Sequence, residues 1–171
     1  MAALKDGRID VGFGRIAIDD AAVTRRLLRE ENLLAVLPIG HPLFDRVRLQ
    51  MADLTDDALI IYPKTPRPSY ADQVLTLYRD CGLEPAAVHE ASGVQTALGL
   101  VAAAEGICIV PESVQRLRRD DVFFRPIDDP RAVSPIIMYC RAEGAPREVD
   151  AILDMIRQHY RENNIRNALF G

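Results

Sequence analysis

SGVQTALGLVAAAEGICIVP, the run from Ser92 to Pro111, reads as a helix that turns directly into a short buried strand. Val94, Ala97, Leu98, Val101 and Ala104 follow the i, i+3, i+4, i+7 spacing of one apolar helix face. Ser92 fits an N-cap, and Gly106 is the residue expected to supply the left-handed turn that ends the helix. Ile107 to Val110 is too short and too uniformly apolar for a surface strand, so it belongs inside a sheet covered on both faces. Pro111 closes that strand, and Glu112 complements the dipole of the helical turn that follows. A helix opening beside such a sheet is where α/β proteins hold small anions, although the same unit also serves as plain scaffold.

The surrounding chain extends this pattern. Ala2 to Asp6 reads as the end of a helix capped by Gly7, and Ile9 to Phe13 as a buried strand. Strands are expected near Val23–Arg29 and Leu33–Leu37, followed by the loop at Gly40–Leu43 and a short helix at Met51–Leu54. Leu59–Tyr62 is a further buried strand, and Pro63 to Pro68 is a stiff, proline-dense loop. Tyr70, Val74, Leu77, Tyr78 and Cys81 form a helical stripe ended by Gly82 and Pro85. Ala87–Ala91, Val122–Pro126 and Pro135–Cys140 are strands, and Val114 and Leu117 mark one more helix. Glu148–Tyr160 is a helix with Val149, Ile152, Leu153, Ile156 and Tyr160 on one face, and the tail from Arg161 reads as polar and frayed. Strands alternating with helices predict an α/β protein with a mostly parallel, doubly wound sheet.

The middle of the chain is nearly self-sufficient, whereas its ends must assemble with each other. That predicts one domain inserted in another: residues 1–32 with 135–171, and residues 33–134, joined by crossings near Arg29–Asn32 and Ala132–Pro135. A cleft between two such halves is a favoured ligand site. The first strand has almost nothing before it to pair with, so the chain is expected to be a fragment or to borrow a layer from another copy.

Composition narrows the function. The net charge is −4, and the basic clusters Arg25-Arg26 and Arg116-Arg118-Arg119 are short, which argues against direct nucleic-acid binding. No secretory signal and no stretch of roughly eighteen apolar residues is present. Cys81, Cys108 and Cys140 are scattered with no CxxC, and no cysteine lies near a histidine at ligand spacing. No metal site is expected, and a reducing cytoplasm fits. His41, His89 and His159 have no sequence-local nucleophile, and GxSxG, HExxH and GxGxxG are all absent.

Anion binding is better supported. Pro66-Arg67-Pro68-Ser69-Tyr70 delivers a helix N-terminus out of the stiff loop, with Ser69 as cap and free amides expected at Ser69 and Tyr70. An ordinary loop-to-helix junction accounts for the same residues, and the residues alone leave both readings open. The helix start at Ser92–Thr96 is a second amide cluster, with Val94 as apolar cover. Arg15, Arg29 and Glu31 bracket the first crossing and read as a structural ion pair.

Several segments together carry a family resemblance. GRIDVGFGR at Gly7–Arg15, the HPL loop at His41–Leu43 before the short helix containing Asp53-Leu54, and GLVAAAEGICIVP at Gly99–Pro111 resemble the effector-binding domain of LysR-type transcriptional regulators. The similarity runs from about Ala3 to Tyr160. IIYPKTPRPSY at Ile60–Tyr70, LYRDCGLEP at Leu77–Pro85 and VQTALGLVAAAEGI at Val94–Ile107 resemble the branch that senses cis,cis-muconate and related dicarboxylates in catechol and benzoate degradation. The resemblance implies a two-lobed, periplasmic-binding-protein-like (type 2) α/β fold with doubly wound sheets, the first lobe incomplete. It implies no enzyme activity and no cofactor.

Carried over by position, Pro68, Ser69 and Tyr70 would hold one carboxylate through the helix amides, and Val94 and Ile136 would line the cleft. Arg29 and Tyr160, with Arg15 and Glu31 nearby, resemble a second, aromatic-acid pocket of benzoate-responsive members. Gly93 stands where those members have an acidic residue coupling the two pockets, so dual-effector synergy is not carried over. The implied partners are a small muconate-like carboxylate, further copies of the chain in a dimer or tetramer, and DNA through a winged helix-turn-helix expected upstream of Met1. No membrane partner is implied. The loops gripping the other end of a dicarboxylate are also expected upstream, so weak effector affinity is expected of this chain. A solute-binding protein of the same architecture, marked by an upstream secretory signal, and an enzyme on this fold are the competing readings.

Overall fold

Alternation along strands, read against two sets of helices, accounts for most of the architecture. The computed structural model describes residues 1–169. The chain divides into two compact units: Met1–Glu30 with the chain from Pro135 onward, and Glu31–Ser134. Glu31 and Asn32, expected with the first, cluster with the second.

In the second unit, strand β2 (Val23–Pro38), which enters from the first unit, pairs antiparallel with β5 (Cys108–Pro111) and with β6 (Val122–Pro126). Strands β3 (Ala58–Ile61) and β4 (Ala87–Glu90) pair in parallel, and a parallel bridge between Leu59 and Ile107 joins β3 to the start of β5. Odd-numbered Leu33, Ala35, Ile61, Ile107 and Ile109 face helix α2 (Tyr70–Asp80) through Val74, Leu77 and Tyr78. Even-numbered Leu34, Val36, Ile60, Cys108 and Val110 face helix α3 (Val94–Ala102) through Ala97, Leu98 and Val101. All four residues of β5 are buried, as a strand covered on both faces must be. Each large aliphatic side chain so buried contributes about 1.5–3 kcal/mol.

In the first unit, helix α1 (Ala2–Lys5) precedes strand β1 (Val11–Gly14), which pairs antiparallel with β7 (Val133–Arg141), and β7 lies between β1 and β2. Met138 and Cys140 of β7 pack with Val149, Leu153 and Tyr160 of helix α4 (Glu148–Glu162). Ile137 and Tyr139, on the opposite face, pack with Leu4. Glu148 and Asp150 begin α4 and His159 and Arg161 end it, which complements the helix dipole at both ends.

Several expectations change. The two strands anticipated around Arg29 and Leu33 are one, because Glu30, Glu31 and Asn32 are polar but include neither Gly nor Pro to break extended backbone. Strand directions are mixed rather than mostly parallel, since β2 arrives from the other unit and runs against β5 and β6. The segment at Ile9–Phe13 is not buried: Ile9 is 43% exposed and Phe13 59%. The anticipated helix after Pro111 is a 3-10 segment, Glu112–Leu117. The tail is not simply frayed, because Ile165 and Leu169 pack against the α4 cluster and the Ala168 amide donates to Leu28 O at 2.9 Å.

The stretch from Ser92 to Pro111 is also built differently in detail. Gly93, not Ser92, is the N-cap of α3, and Ser92 Oγ instead meets Thr96 Oγ1 at 3.2 Å. The left-handed residue after α3 is Ala104, at φ 59°. Gly106, at φ 148°, serves a close approach: a Cβ there would lie 2.3 Å from Ala58 O.

Candidate functional site

Strands β3, β4 and β5 run in one direction, so their carboxyl ends form one edge of the second unit. Each is followed by a helical start at that edge: α2 after β3, α3 after β4, and the 3-10 segment Glu112–Leu117 after β5. Open α/β sheets bind ligands at such an edge, where the first amides of each helix lack intrahelical acceptors. The loops there are tied together. Ala91 N donates to Ile61 O at 2.8 Å, Lys64 N donates to Ala91 O at 2.9 Å, and Lys64 Nζ lies 3.5 Å from Glu90 Oε2.

The start of α2 is capped by its own residues. Ser69 is extended and its Oγ accepts from Ala71 N, while Ser69 N donates to Asp72 Oδ2 at 2.6 Å. Arg67 Nη2 donates to the other oxygen of Asp72 at 2.7 Å. Burial alone would raise the pKa of Asp72, but the Ser69 amide and the Arg67 guanidinium hold it below the usual carboxylate value. The free amide expected at Ser69 is therefore corrected: an internal carboxylate already occupies it. Asp72 completes an S-x-x-D capping box, a pattern visible in the sequence. The Tyr70 side chain is buried, with its hydroxyl donating to Ile109 O at 3.2 Å and its ring 5.4 Å from that of Tyr62.

Helix α3 contrasts with α2. No side chain caps it, and its first intrahelical bond is Ala97 N to Gly93 O at 3.0 Å. Val94 is half-buried beside the even-numbered cluster, and nothing lies within 4 Å of where a Gly93 Cβ would stand. The extended backbone of Gly93 (φ −171°) suits any residue, so its lack of a side chain leaves space at the helix start rather than relieving strain. A polar cavity of about 440 Å³ adjoins the same edge, lined among others by Asn32, Arg48, Glu112 and Asp128.

The remaining candidates divide between the units. Ile136 and Tyr160 belong to the first unit, where they line an apolar cavity of about 450 Å³ with Phe13, Leu28, Ile156 and His159. Sequence reasoning missed Phe13 and Leu28, which β1 and β2 bring there from distant positions. Arg15 and Arg29 are half-buried in the same unit but are not among the residues lining that cavity. Strand alternation sends Arg29 to the face opposite Leu28. Glu31 clusters with the second unit, where it is buried and accepts from Ser113 Oγ at 3.1 Å.

Among the described residues no cluster of His, Cys, Asp and Glu could hold a metal, and no helix is long and apolar enough to cross a membrane.

The LysR substrate binding domain family matches residues 1–161. The chain is 40% identical over 160 residues to the HTH-type transcriptional regulator BenM of Acinetobacter baylyi, covering 92% of this chain and 53% of that protein. It is 46% identical over 156 residues to the regulator CatR of Pseudomonas putida, covering 91% and 54%. The BenM effector-binding domain solved with its effector benzoate superposes with a TM-score of 0.90 at 37% identity, covering 98% of this chain and 77% of that one. The chain spans about half the length of the curated relatives it matches.

Proposed function

Because the chain belongs to the LysR substrate-binding domain family, whose matched relatives are transcriptional regulators and not enzymes, we propose that it is the effector-sensing part of a LysR-type DNA-binding regulator. In this reading it responds to cis,cis-muconate or a related small carboxylate and activates genes of catechol or benzoate catabolism. One observation carries the assignment: three helical starts open from the carboxyl ends of three parallel strands, on a chain closely similar to BenM and CatR.

The effector's carboxylate is assigned to the loop and first turn at Pro68, Ser69 and Tyr70, with the start of α3 and Val94 as neighbours. A dipole contributes about 0.3–1 kcal/mol to an exposed anion and up to about 2 when partly buried. Each hydrogen bond to a charged acceptor adds about 1.5–3 kcal/mol. Asp72 opposes this, because an incoming carboxylate must displace it from Ser69 N or share the first turn with it. An aromatic acid is assigned to the apolar cavity of the first unit, where Ile136 and Tyr160 would contact the ring; Arg15 and Arg29 are the nearby cations carried over from benzoate-responsive members. That benzoate is an effector of the similar BenM effector-binding domain supports an aromatic acid as a ligand of this chain.

DNA contact is assigned to a winged helix-turn-helix outside this chain, acting in a cytoplasmic dimer or tetramer. Effector binding shifts such an assembly only through different affinities for its two arrangements. Amide-resolved NMR titration tests the reading. Muconate is expected to shift Ser69, Tyr70 and Ala71 together with Val94 to Thr96, and benzoate to shift the Ile136 and Ile156 methyls. Muconate that moves neither amide set at millimolar concentration contradicts the effector assignment.

A further inference from the structure

Gln73, one turn into α2, makes two bonds that the capping arrangement does not require. Its Nε2 donates to Val133 O at 3.2 Å, and its Oε1 accepts from Ser134 Oγ at 2.9 Å. A carbonyl oxygen can only accept, so the Val133 contact fixes which end of the amide faces it, and the hydroxyl then donates to the other end. Ser134 is wholly buried, and it is the last residue of the second unit before β7 passes into the first at Pro135. The other crossing strand is tied to the same point, because Leu33 N donates to Ala132 O at 2.8 Å. The side chain thus connects a rigid helix to the segment where the chain leaves the unit, across 61 positions of sequence.

We propose that Gln73 is a positioning residue that transmits the state of the α2 N-terminus to the crossing at Val133–Ser134. The inference rests on the reading that the first turn of α2 receives the effector's carboxylate. A shift of α2 on binding moves Gln73 as part of the same helix, and the paired bonds pull the Val133 carbonyl and the Ser134 hydroxyl with it. Leucine at this position fills similar space but makes neither bond, so it removes this hydrogen-bonded link between α2 and the crossing while leaving Ser69 and Asp72 in place. Coupling carried by hydrogen-bonded contacts between rigid elements is physically established only when breaking the contact breaks the response.

The experiment is amide-resolved NMR of the full chain titrated with cis,cis-muconate, comparing wild type, Gln73→Leu and Ser134→Ala. In the wild type muconate is expected to shift both the Ser69–Asp72 amides and those of Val133 and Ser134. In each variant the first set keeps its response, and the second falls by about fivefold or more, the lower end of typical coupling. An undiminished response at Val133 and Ser134 in both variants overturns the positioning role while leaving the effector reading intact. The positioning role also falls if the wild-type crossing does not respond, or if a folded variant loses both responses. Silence at Ser69–Asp72 in the wild type removes the placement of the carboxylate at the first turn of α2, and this inference with it.

Discussion

Gly106→Ala should be among the most damaging single-methyl additions in this chain. The added Cβ would lie 2.3 Å from Ala58 O, 3.1 Å from Ala58 C and 3.2 Å from Ala58 Cβ. Relieving the first contact to even 3.0 Å requires β3 and the start of β5 to part by about 0.7 Å, the difference between the two distances. Two bonds span that gap: Ile60 N to Ile107 O at 2.7 Å and Ile107 N to Ala58 O at 2.8 Å. The same displacement stretches both to about 3.4–3.5 Å, beyond useful geometry. Losing them costs about 1 kcal/mol each. Holding alanine at φ 148° adds about 1–3 kcal/mol. The reduced entropy of the unfolded chain returns only about 0.4–1 kcal/mol, so the net loss is about 2–4.6 kcal/mol.

Urea unfolding followed by far-UV circular dichroism measures that loss. At a denaturant slope of about 2 kcal/mol per molar, it lowers the midpoint by about 1–2 M. Gly99→Ala is the control, because this helical glycine has nothing within 4 Å of its would-be Cβ. Alanine there should stabilise α3 by about 0.5–1 kcal/mol. The same methyl is thus expected to have opposite signs seven residues apart. A Gly106→Ala loss below about 1 kcal/mol would falsify the claim that this glycine permits the approach of β5 to β3.

Acid should destabilise the chain through Asp129, whose carboxyl accepts from the Arg131 side chain at 2.6 and 2.9 Å and is held well below its ordinary value of 3.8. A lowered folded-state pKa means stability present above pH 3.8 and lost as the pH falls through the folded value; Asp129→Asn should flatten that part of a pH-dependent thermal melt. Iodoacetamide at neutral pH should alkylate only Cys81 in the folded chain, because Cys108 and Cys140 are buried, and slowly, because burial pushes the Cys81 thiol up; mass spectrometry finding modified Cys108 before unfolding contradicts the packing of β5. Asp72→Asn keeps an acceptor for Ser69 N but removes the internal negative charge. A like charge about 4 Å away costs about 1 kcal/mol in water, so muconate should bind about fivefold more tightly by NMR titration, and weaker binding refutes the competition.

The parts legible in the sequence are those decided within a few residues of each other. The stripe from Tyr70 to Tyr78, the caps of α2 and the uniform apolar run of β5 are local patterns, and the structure places them where their spacing indicates. What local spacing hides depends on partners far away in the chain. The role of Gly106 is set by Ala58, forty-eight positions earlier, and not by the helix it follows. The hydroxyl that Glu31 accepts from belongs to Ser113, separated by 82 positions, and no local spacing indicates it. Phe13 and Leu28 reach the apolar cavity with Tyr160 only once three strands and α4 are assembled.

The α2 start shows a different reason for an incomplete reading. The sequence carries both the helix signal and the capping-box pattern, so the missing step is chemical rather than topological. A helix N-terminus offers the same amides to an external anion and to a carboxylate in its own first turn, and the tethered group has the advantage of high local concentration. Asp72, oriented by Arg67, therefore sets the threshold that any effector must exceed at Ser69. Uncapped α3 has no such competitor among its own side chains. If a carboxylate binds at this edge, the amides of Val94 to Thr96 should shift together with those of Ser69 to Ala71, as the incoming anion displaces Asp72 from Ser69 N.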